Sequence, residues 1–516
     1  KESPKSVQPW DEKGFRIPGG GPYDKASSFV FTMGNAMLRK QSFGNYPAQI
    51  NIMKAVYEGL QVPIDAALRI EARYFTDLLS RPESKAMVRS LFLSMQELGK
   101  GARRPKGVPE SKVKKLGVLG AGVMGAGIAY VSALSGIEVV LLDRDQPTAD
   151  KGKDYSVKIF DKDIARGRSS DAKKTEVLAR IHPTSDYAAL SDCDLVIEAV
   201  YEDRGIKADV TKKAEATMPA ASIFGSNTST LPIGELSAAS VRPASFIGIH
   251  FFSPVERMGL VEIIVSKKTS DAALARAIDY VGQIRKTPIV VNDKRGFYTS
   301  RCFGTYTGEG LRMLSEGIHP ALIENVGRMS GMPMGPLEVL DSVGNDTPLK
   351  IMRAARKDMD IAEPDAGEQL MSWLAEENGR LGRKSGKGFY DYDGSKRVRL
   401  WPELVARRKD WNSEADVEEL RKRMLYAQAL ECARCFEENV VTDPRDADVG
   451  AILGWGFAPY TGGPISFIDA IGAEKFVKDC EKLAKAYGER FKPTKMLKDM
   501  AKSGETFYGR HKAKAA

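Results

Sequence analysis

The chain has 516 residues, which is enough for about three or four domains. Its hydrophobic content of 42% and charged content of 28% are those of ordinary globular proteins, and its longest apolar runs are far too short to cross a bilayer. The net charge of +9 is dispersed, so a solvated surface is a simpler interpretation than a nucleic-acid interface. The five cysteines are sparse and odd in number, which argues against a disulfide framework and favours a reducing compartment.

The first stretch, to about Lys106, is predicted to be mostly helical. Strand-like alternation is limited to SSFVFTMG, and the helical segments that follow are NYPAQINIMKAVYEGL and the long PIDAALRIEARYFTDLLSRPESKAMVRSLFLSMQELGKG. The long segment has apolar residues at helical spacing and ends on a glycine stop signal. The basic linker GARRPKGVPESKVKK then indicates a domain boundary.

From Lys115 the pattern changes to short apolar strands that alternate with helices. KLGVLG predicts a strand, MGAGIAYVSALSG a helix and EVVLLD a second strand, and further strands are predicted at CDLVIEAV, SIFGSN, SFIGIHFF and TPIVVND. This alternation predicts a parallel, doubly wound α/β sheet of the Rossmann type. After about Gly296 the strands are expected to stop, and the remainder is predicted to be helices and loops.

The helical half contains an internal repeat. VGRMSGMPMGPLEVLDSVG, residues 326–344, matches VGAILGWGFAPYTGGPISFIDAIG, residues 449–472. The Gly-Pro pair, an aspartate and the final glycine fall at identical spacings, and the second copy carries five extra residues in the segment that includes Tyr460. Two copies predict two related helical units with the insertion in a loop, and chance similarity is the alternative.

The sequence GAGVMG places Gly120, Gly122 and Gly125 in the GxGxxG spacing. This spacing allows a tight turn, a close approach of the backbone to a pyrophosphate, and close packing of helix on strand. Asp143 lies 23 residues beyond Gly120, at the end of the second strand, where a carboxylate can accept hydrogen bonds from the adenosine ribose. Because that carboxylate would repel a 2′-phosphate, the pattern favours NAD over NADP, although Arg144 beside it leaves NADP open.

His250 and Glu262 are the candidate catalytic pair. His250 closes the apolar strand SFIGIHFF, and Glu262 lies in a second apolar run, GLVEIIV. A carboxylate inside such a run needs a partner, and a carboxylate that holds one imidazole nitrogen fixes the tautomer and leaves the other nitrogen free to act as a base. From the pattern alone, a catalytic pair and a satisfied core histidine both remain open.

Several motifs together resemble the 3-hydroxyacyl-CoA dehydrogenase family. They are LGAGVMGAGIAY, LVIEAVYED, GSNTSTLPI, GIHFFSPVERMGLVEII and GMPMGPLEVLDSVG, and the resemblance runs from about Lys115 to Tyr508. The duplicated C-terminal half and the N-terminal helices are similar to the α-subunits of fatty-acid oxidation complexes, which are multifunctional hydratase/dehydrogenases. In those proteins a hydratase domain comes first, and its last helices resemble residues 45–105.

The resemblance implies oxidation of a (3S)-3-hydroxyacyl-CoA to the 3-oxoacyl-CoA in fatty-acid β-oxidation, with NAD as the hydride acceptor. It also implies a thiolase subunit and a second copy of the chain as partners, and a cytoplasmic location of the bacterial type, with an organelle matrix as the alternative. No metal and no nucleic-acid partner are expected. Because the hydratase residues of the family lie upstream of everything present here, hydratase activity is not expected. The rival interpretations are a hydroxyacid dehydrogenase with a lysine base and a nucleotide-binding protein without turnover.

The resemblance also implies four domains. Residues 1–110 would be the last helices of a crotonase-like domain plus the linker, and residues 111–295 the NAD-binding domain. Residues 296–400 and 401–516 would be two helical dehydrogenase C-terminal domains.

By motif position, His250 is implied as the catalytic base, Glu262 as its partner, and Ser229 as a contact of both the substrate hydroxyl and the cofactor. The remaining implied cofactor contacts are Gly120, Gly122, Met124, Gly125, Asp143, Val200, Tyr201, Glu202, Lys207 and Ser253. The remaining implied substrate contacts are Ser300 and Tyr460.

Two of these positions depart from the family pattern. The usual HFFNP is HFFSP here, at Ser253, and the asparagine of GFxxNR is Ser300. Both changes shorten a hydrogen-bonding side chain, so they affect the fine geometry of the site more than the reaction class. For Lys207 and Tyr460, an exposed or packing role is the alternative.

Overall fold

The structure is a computed structural model that describes residues 7–25, 27–358 and 360–515. The ends of the first and last predicted domains, residues 1–6 and 516, therefore lie outside the described residues. Spatial contacts divide the chain into two compact units, each assembled from distant segments. Unit 1 comprises residues 1–89, 310–424 and 458–462, and unit 2 comprises residues 90–309, 425–457 and 463–516. The division into four sequence domains stays a prediction.

Unit 2 is built on one sheet of eight strands. They are β1 (Lys115–Leu119), β2 (Glu138–Leu142), β3 (Ile181–Thr184), β4 (Leu195–Glu198), β5 (Ile223–Ser226), β6 (Phe246–Phe251), β7 (Leu260–Val265) and β8 (Thr287–Asn292). Their order is β3-β2-β1-β4-β5-β6-β7-β8, so the order reverses between β1 and β4. In open α/β sheets the ligand crevice lies at such a point, beyond the carboxyl ends of the strands.

The predicted α/β sheet is confirmed, but it is not parallel throughout. Neighbouring strands are parallel except β6 and β7, which are antiparallel. Only residues 252–259 connect β6 to β7, and a parallel crossover needs a dozen or more residues. The chain therefore has to reverse between these two strands. Two strands were not among those predicted: β3, which has little apolar character, and β7, whose segment was noted only as an apolar run.

The α-helices account for most of the remaining chain. They are α1 (Ser28–Ser42), α2 (Pro47–Gly59), α3 (Ile64–Ser80), α4 (Pro82–Met87), α5 (Met95–Gly99), α6 (Val123–Leu134), α7 (Gln146–Ile164), α8 (Asp171–Leu178), α9 (Arg204–Glu215), α10 (Ile233–Leu236), α11 (Asp271–Gln283), α12 (Thr299–Ser315), α13 (Pro320–Met329), α14 (Pro336–Val343), α15 (Asp346–Asp358), α16 (Ala366–Ser372), α17 (Pro402–Ala406), α18 (Val417–Glu437), α19 (Pro444–Trp455), α20 (Pro464–Ile471), α21 (Ala473–Tyr487), α22 (Lys495–Ser503) and α23 (Phe507–Ala515).

The N-terminal helices differ from the prediction in two places. The segment SSFVFTMG lies in α1 and is not a strand. A short alternating segment with no strand beside it gains more from local helical hydrogen bonds than from an extended form. The long predicted helix is divided at Pro82, because proline lacks an N–H group and disfavours helical geometry in the residue before it. Arg81 is accordingly extended, with φ −75° and ψ 140°.

A hairpin corrects the expectation that strands stop after Gly296. It consists of β9 (Tyr390–Asp393) and β10 (Lys396–Leu400), which pair antiparallel. The signal was present in the sequence, since a two-residue Gly394-Ser395 turn between strand-like segments is a hairpin signature. Gly394 has a φ of 56°, in the left-handed region that glycine tolerates.

The two copies of the repeat form the same local structure. In each copy a Gly-Pro pair starts a helix, at Pro336 for α14 and at Pro464 for α20. A buried carboxylate on the preceding helix accepts backbone N–H groups from the start of that helix, and these carboxylates belong to Glu324 and Asp448. The insertion that carries Tyr460 forms a 3-10 turn. Across the described ranges, no helix combines the length and the apolar character of a membrane span.

Candidate active site

The glycine-rich loop between β1 and α6 has the geometry that a dinucleotide requires. Gly120 has a φ of 96°, and a Cβ there would lie 2.8 Å from the carbonyl oxygen of Ala199. A Cβ on Gly125 would lie 1.7 Å from the carbonyl oxygen of Gly120. Gly122 has no atom within 4 Å of its Cβ position, so the start of α6 is open to an anion. The residues present therefore fit the pyrophosphate of NAD.

Asp143 follows β2 and supports this loop. Its carboxylate accepts the backbone N–H of Ala121 at 2.6 Å and that of Arg144 at 2.7 Å. Each carboxylate oxygen has a further lone pair, so a ribose hydroxyl can still bind. Met124 is half-buried in α6 and packs against the hydrophobic core of the sheet. The expected ribose acceptor is therefore anchored to the turn that would hold the phosphates.

The antiparallel register of β6 and β7 places His250 directly opposite Glu262. The Nδ1 atom of His250 lies 2.9 Å from Oε2 of Glu262, and the two residues are 5% and 0% exposed. Glu262 also accepts the backbone N–H groups of Tyr298 and Thr299, each at 3.1 Å, and the Thr299 hydroxyl at 2.6 Å. The buried carboxylate is thus fully hydrogen-bonded at the start of α12, where the helix dipole favours negative charge.

This hydrogen-bond network fixes the tautomer of His250. An ionised carboxylate only accepts hydrogen bonds, so Nδ1 must carry the proton that it donates to Glu262. The Nε2 atom then keeps its lone pair and can accept a proton. The rings of Phe252 and Phe297 lie 4.6 Å and 6.2 Å from the imidazole, measured between centroids. A histidine that is held in this way in an apolar setting is able to act as a general base.

The loop after β5 brings four predicted site residues together. Glu202 accepts the backbone N–H of Ser229 at 3.1 Å and the hydroxyl of Thr228 at 2.6 Å. The ammonium of Lys207 lies 3.2 Å from the Glu202 carboxylate. Burial acts to raise the pKa of Glu202, but Lys207 and these hydrogen bonds lower it overall. The hydroxyl of Ser300 donates to the carbonyl oxygen of Ser229 at 3.1 Å.

Two residues that the sequence interpretation did not single out join these loops. The side-chain oxygen of Asn227 accepts the backbone N–H of Phe251 at 2.7 Å, next to His250. Glu198, the last residue of β4, is 1% exposed and lies 2.9 Å from the ammonium of Lys207. Glu198 carries the same sequence signal as Glu262, because each is an acidic residue inside an apolar strand.

The remaining predicted residues lie at separate places. Val200 and Tyr201 follow β4, and the side chain of Tyr201 is 65% exposed. Ser253 is exposed after β6. Tyr460 belongs to unit 1, where its ring lies 6.0 Å from that of Tyr46, measured between centroids. Burial raises the pKa of Tyr460, against a lowering effect of a neighbouring arginine.

The cysteines and the other acidic residues supply no metal centre in the described ranges. No group of three or more histidine, cysteine, aspartate or glutamate side chains there is arranged to hold an ion. Cys432 and Cys435 are buried in α18 as free thiols.

The comparisons with known proteins point to one family. Residues 115–294 match the model of the 3-hydroxyacyl-CoA dehydrogenase NAD binding domain, and residues 296–392 match the C-terminal domain of the same family. The fatty acid oxidation complex subunit alpha of Shewanella halifaxensis is 36% identical over 486 residues, which cover 93% of this chain and 68% of that protein.

Two solved structures are also similar. The dehydrogenase part of multifunctional enzyme 1 from C. elegans has 27% identity and a TM-score of 0.58, and the match covers 79% of this chain and 96% of that one. The (S)-3-hydroxybutyryl-CoA dehydrogenase of Ralstonia eutropha has 33% identity and a TM-score of 0.51, with 55% and 100% covered. The chain belongs to the 3-hydroxyacyl-CoA dehydrogenase family, as an NAD-dependent oxidoreductase that oxidises 3-hydroxyacyl-CoA in fatty-acid β-oxidation.

Proposed function

We propose that the enzyme oxidises the (3S) isomer of its substrate, with His250 as the base and Glu262 as the residue that orients it. The observation that carries this proposal is the buried contact of 2.9 Å between His250 Nδ1 and the Glu262 carboxylate, which leaves Nε2 free to accept a proton. The stereochemistry is supported by the relative from Ralstonia eutropha, which is named for the (S)-3-hydroxy substrate.

The step follows from the tautomer of His250. Its Nε2 accepts the hydroxyl proton of the substrate while the C3–H bond breaks and the C3–O bond becomes a carbonyl. NAD, when bound, supplies the acceptor for the hydride, which carries the electron pair of the broken C3–H bond. Glu262 stabilises the imidazolium that results, because its negative charge is held against Nδ1–H in a buried site. In the reverse direction the same imidazolium returns the proton to the 3-oxo oxygen.

The other residues have proposed binding roles. Ser229 contacts the substrate hydroxyl and the cofactor, Ser300 lies on the thioester side of the substrate, and Tyr460 contacts the acyl-CoA. The hydrogen bond between Ser300 and the backbone of Ser229 supports the first two roles. The proposed cofactor contacts besides Ser229 are Gly120, Gly122, Met124, Gly125, Asp143, Val200, Tyr201, Glu202, Lys207 and Ser253.

A partner subunit, a homodimer and a cytoplasmic location are further proposals. The Shewanella relative is named as the subunit of a complex, which supports a partner subunit for this chain. That the partner is a thiolase is implied by the family resemblance alone. The expectation that this chain lacks hydratase activity also stays a prediction, and the measurement that tests it is hydration of crotonyl-CoA.

Replacing His250 tests the proposed base. With acetoacetyl-CoA and NADH as substrates, His250→Gln is expected to lower kcat about 10²- to 10⁴-fold, the usual contribution of a positioned acid or base. The matched control is His182→Gln, which alters an exposed histidine paired with Glu138. Near-normal turnover by the His250 variant would make this residue a structural histidine. Oxidation of the (3R) isomer at a rate equal to that of the (3S) isomer would refute the stereochemical assignment.

A further inference from the structure

Glu198 is a buried charge whose contacts converge on the active-site loops. It pairs with Leu119 of β1 on one side and with Ser226 of β5 on the other. Its carboxylate accepts two hydrogen bonds from the ammonium of Lys207, at 3.0 and 2.9 Å, one from the hydroxyl of Ser226, and one from the backbone N–H of Val200 at 3.3 Å. Burial raises the pKa of Glu198, and Lys207 opposes that effect. A carboxylate buried in the middle of a sheet needs such partners, because an unpaired buried charge is strongly destabilising.

Lys207 connects Glu198 to a second carboxylate, that of Glu202. The lysine lies on α9 and is 2% exposed, and its ammonium lies between Glu198, at 2.9 Å, and Glu202, at 3.2 Å. Glu202 in turn holds the backbone N–H groups of Ser229 and Thr230, at 3.1 and 3.3 Å. A continuous series of charged contacts therefore runs from the end of β4 to the loop that carries Ser229.

The position of Glu198 also links this series to the cofactor loop. Its neighbour Ala199 donates its N–H to the carbonyl of Leu119, just before the glycine turn. The carbonyl oxygen of Glu198 accepts the N–H of Asn227, at the start of the Ser229 loop. Three loops at the carboxyl edge of the sheet therefore meet at this position, where backbone bonds join the strands and the Glu198 carboxylate adds the contacts to Lys207, Ser226 and Val200. Functional groups held in this way are set by the residues behind them, whose own geometry is locked by packing and hydrogen bonds.

We propose that Glu198 is a positioning residue for the dehydrogenase reaction, which anchors Lys207 and, through Lys207 and Glu202, fixes the loop that presents Ser229. It acts through these residues and touches neither substrate nor cofactor. The inference rests on the proposed role of Ser229.

The variant Glu198→Gln tests this inference because glutamine keeps the shape and can still accept a hydrogen bond, but cannot balance the charge of Lys207. We expect kcat with acetoacetyl-CoA and NADH to fall on the order of 10- to 100-fold, the effect of a small displacement of a positioning group. Amide hydrogen exchange in residues 227–231 should become roughly five- to tenfold faster, as for the loss of about one hydrogen bond. The affinity for ADP-ribose, which lacks the nicotinamide, should stay unchanged.

Two further variants complete the experiment. Glu198→Asp keeps the negative charge next to Lys207 and shortens the side chain by one methylene, so it remains a folded test if Glu198→Gln does not fold, and it should show smaller losses of the same kind. Glu176→Gln, which breaks exposed ion pairs with Lys173 and Arg180 in the same unit, is the matched control and should behave as the wild type.

The outcomes separate this inference from the proposed function. Wild-type kcat in a folded Glu198 variant, or an unchanged exchange rate in residues 227–231, would overturn the positioning role. An equal loss of affinity for ADP-ribose and NADH would also overturn it, because it would indicate a general disturbance of the sheet. An active wild type with an unaffected Ser229→Ala variant would instead refute the role of Ser229 on which the inference rests.

Discussion

Replacing Glu262 by glutamine is expected to reverse the tautomer of His250. In the wild type the carboxylate accepts four hydrogen bonds, two of them from the backbone N–H groups of Tyr298 and Thr299 on Oε1. The amide oxygen of a glutamine must take that place, since only an oxygen can accept from two N–H donors. Its NH₂ group then faces the Thr299 hydroxyl and the imidazole. Both can accept, but His250 can do so only with its proton moved to Nε2, where it can no longer act as a base.

The opposite orientation of the amide sets the size of this effect. It would restore the wild-type tautomer but would aim NH₂ at two backbone N–H groups, leaving two buried donors unpaired at about 1–3 kcal/mol each. The base-competent arrangement is therefore disfavoured by about 2–6 kcal/mol. We expect kcat to fall about 10²- to 10⁴-fold, the range for complete loss of a general base.

Steady-state rates with acetoacetyl-CoA and NADH, followed by NADH absorbance, measure this loss. Binding of NADH, followed by fluorescence titration, should change little, because the glycine loop is untouched. The matched control is Thr299→Val, which removes one hydroxyl from Oε2 of Glu262 and leaves the carboxylate in place. It should cost about 1 kcal/mol, roughly fivefold. A Glu262→Gln variant as active as this control would refute the tautomer argument.

The remaining predictions concern the cofactor, the substrate loop and the pH dependence of stability. Asp143→Ala is expected to weaken NAD binding and erode the preference over NADP, because an acceptor and a repulsive charge are both lost; an unchanged ratio of the two KM values would show that the ribose is held elsewhere. Ser300→Ala removes the hydrogen bond to the Ser229 carbonyl and should lower kcat/KM roughly fivefold, which corresponds to about 1 kcal/mol of transition-state stabilisation. This loss is smaller than the one expected for replacing the catalytic base. A loss as large as that of the base would place Ser300 in the chemistry itself. Burial raises the pKa of Glu324 and of Asp448 to about 7, against hydrogen bonds that lower it. Unfolded carboxyl groups ionise near pH 4, so the unfolded state loses these protons first and the free energy of unfolding should decrease as the pH rises from about 4 to about 7. Denaturant titrations across that pH range should show a smaller decrease in the free energy of unfolding for the double variant Glu324→Gln/Asp448→Asn. If the free energy of unfolding depends on pH equally in the variant and the wild type, these two carboxyl groups do not have raised pKa values.

Several parts of the site could be predicted from local patterns. The glycine loop was identified because its three glycines and Asp143 act within one strand–turn–helix unit, where spacing along the chain decides the geometry. Most strands of the α/β sheet were predictable for the same reason, since short apolar runs reflect local burial, whereas β3 lacks such a run. His250 and Glu262 could be named as candidates, but the choice between a catalytic pair and two core residues could not be made from their separate runs.

The pairing itself depended on long-range structure. The short connection after β6 forces the antiparallel register that sets His250 opposite Glu262, and the donors that complete the carboxylate come from the start of α12. The anchoring of Lys207 by Glu198 likewise needs α9 to pack on the sheet. The hairpin at Tyr390–Leu400 shows the reverse case, in which a local signal was present but outweighed by the helical pattern around it. Spacing along the chain predicts which residue types can meet. Which of them do meet is decided by strand register and helix packing, since these join residues that no local window contains.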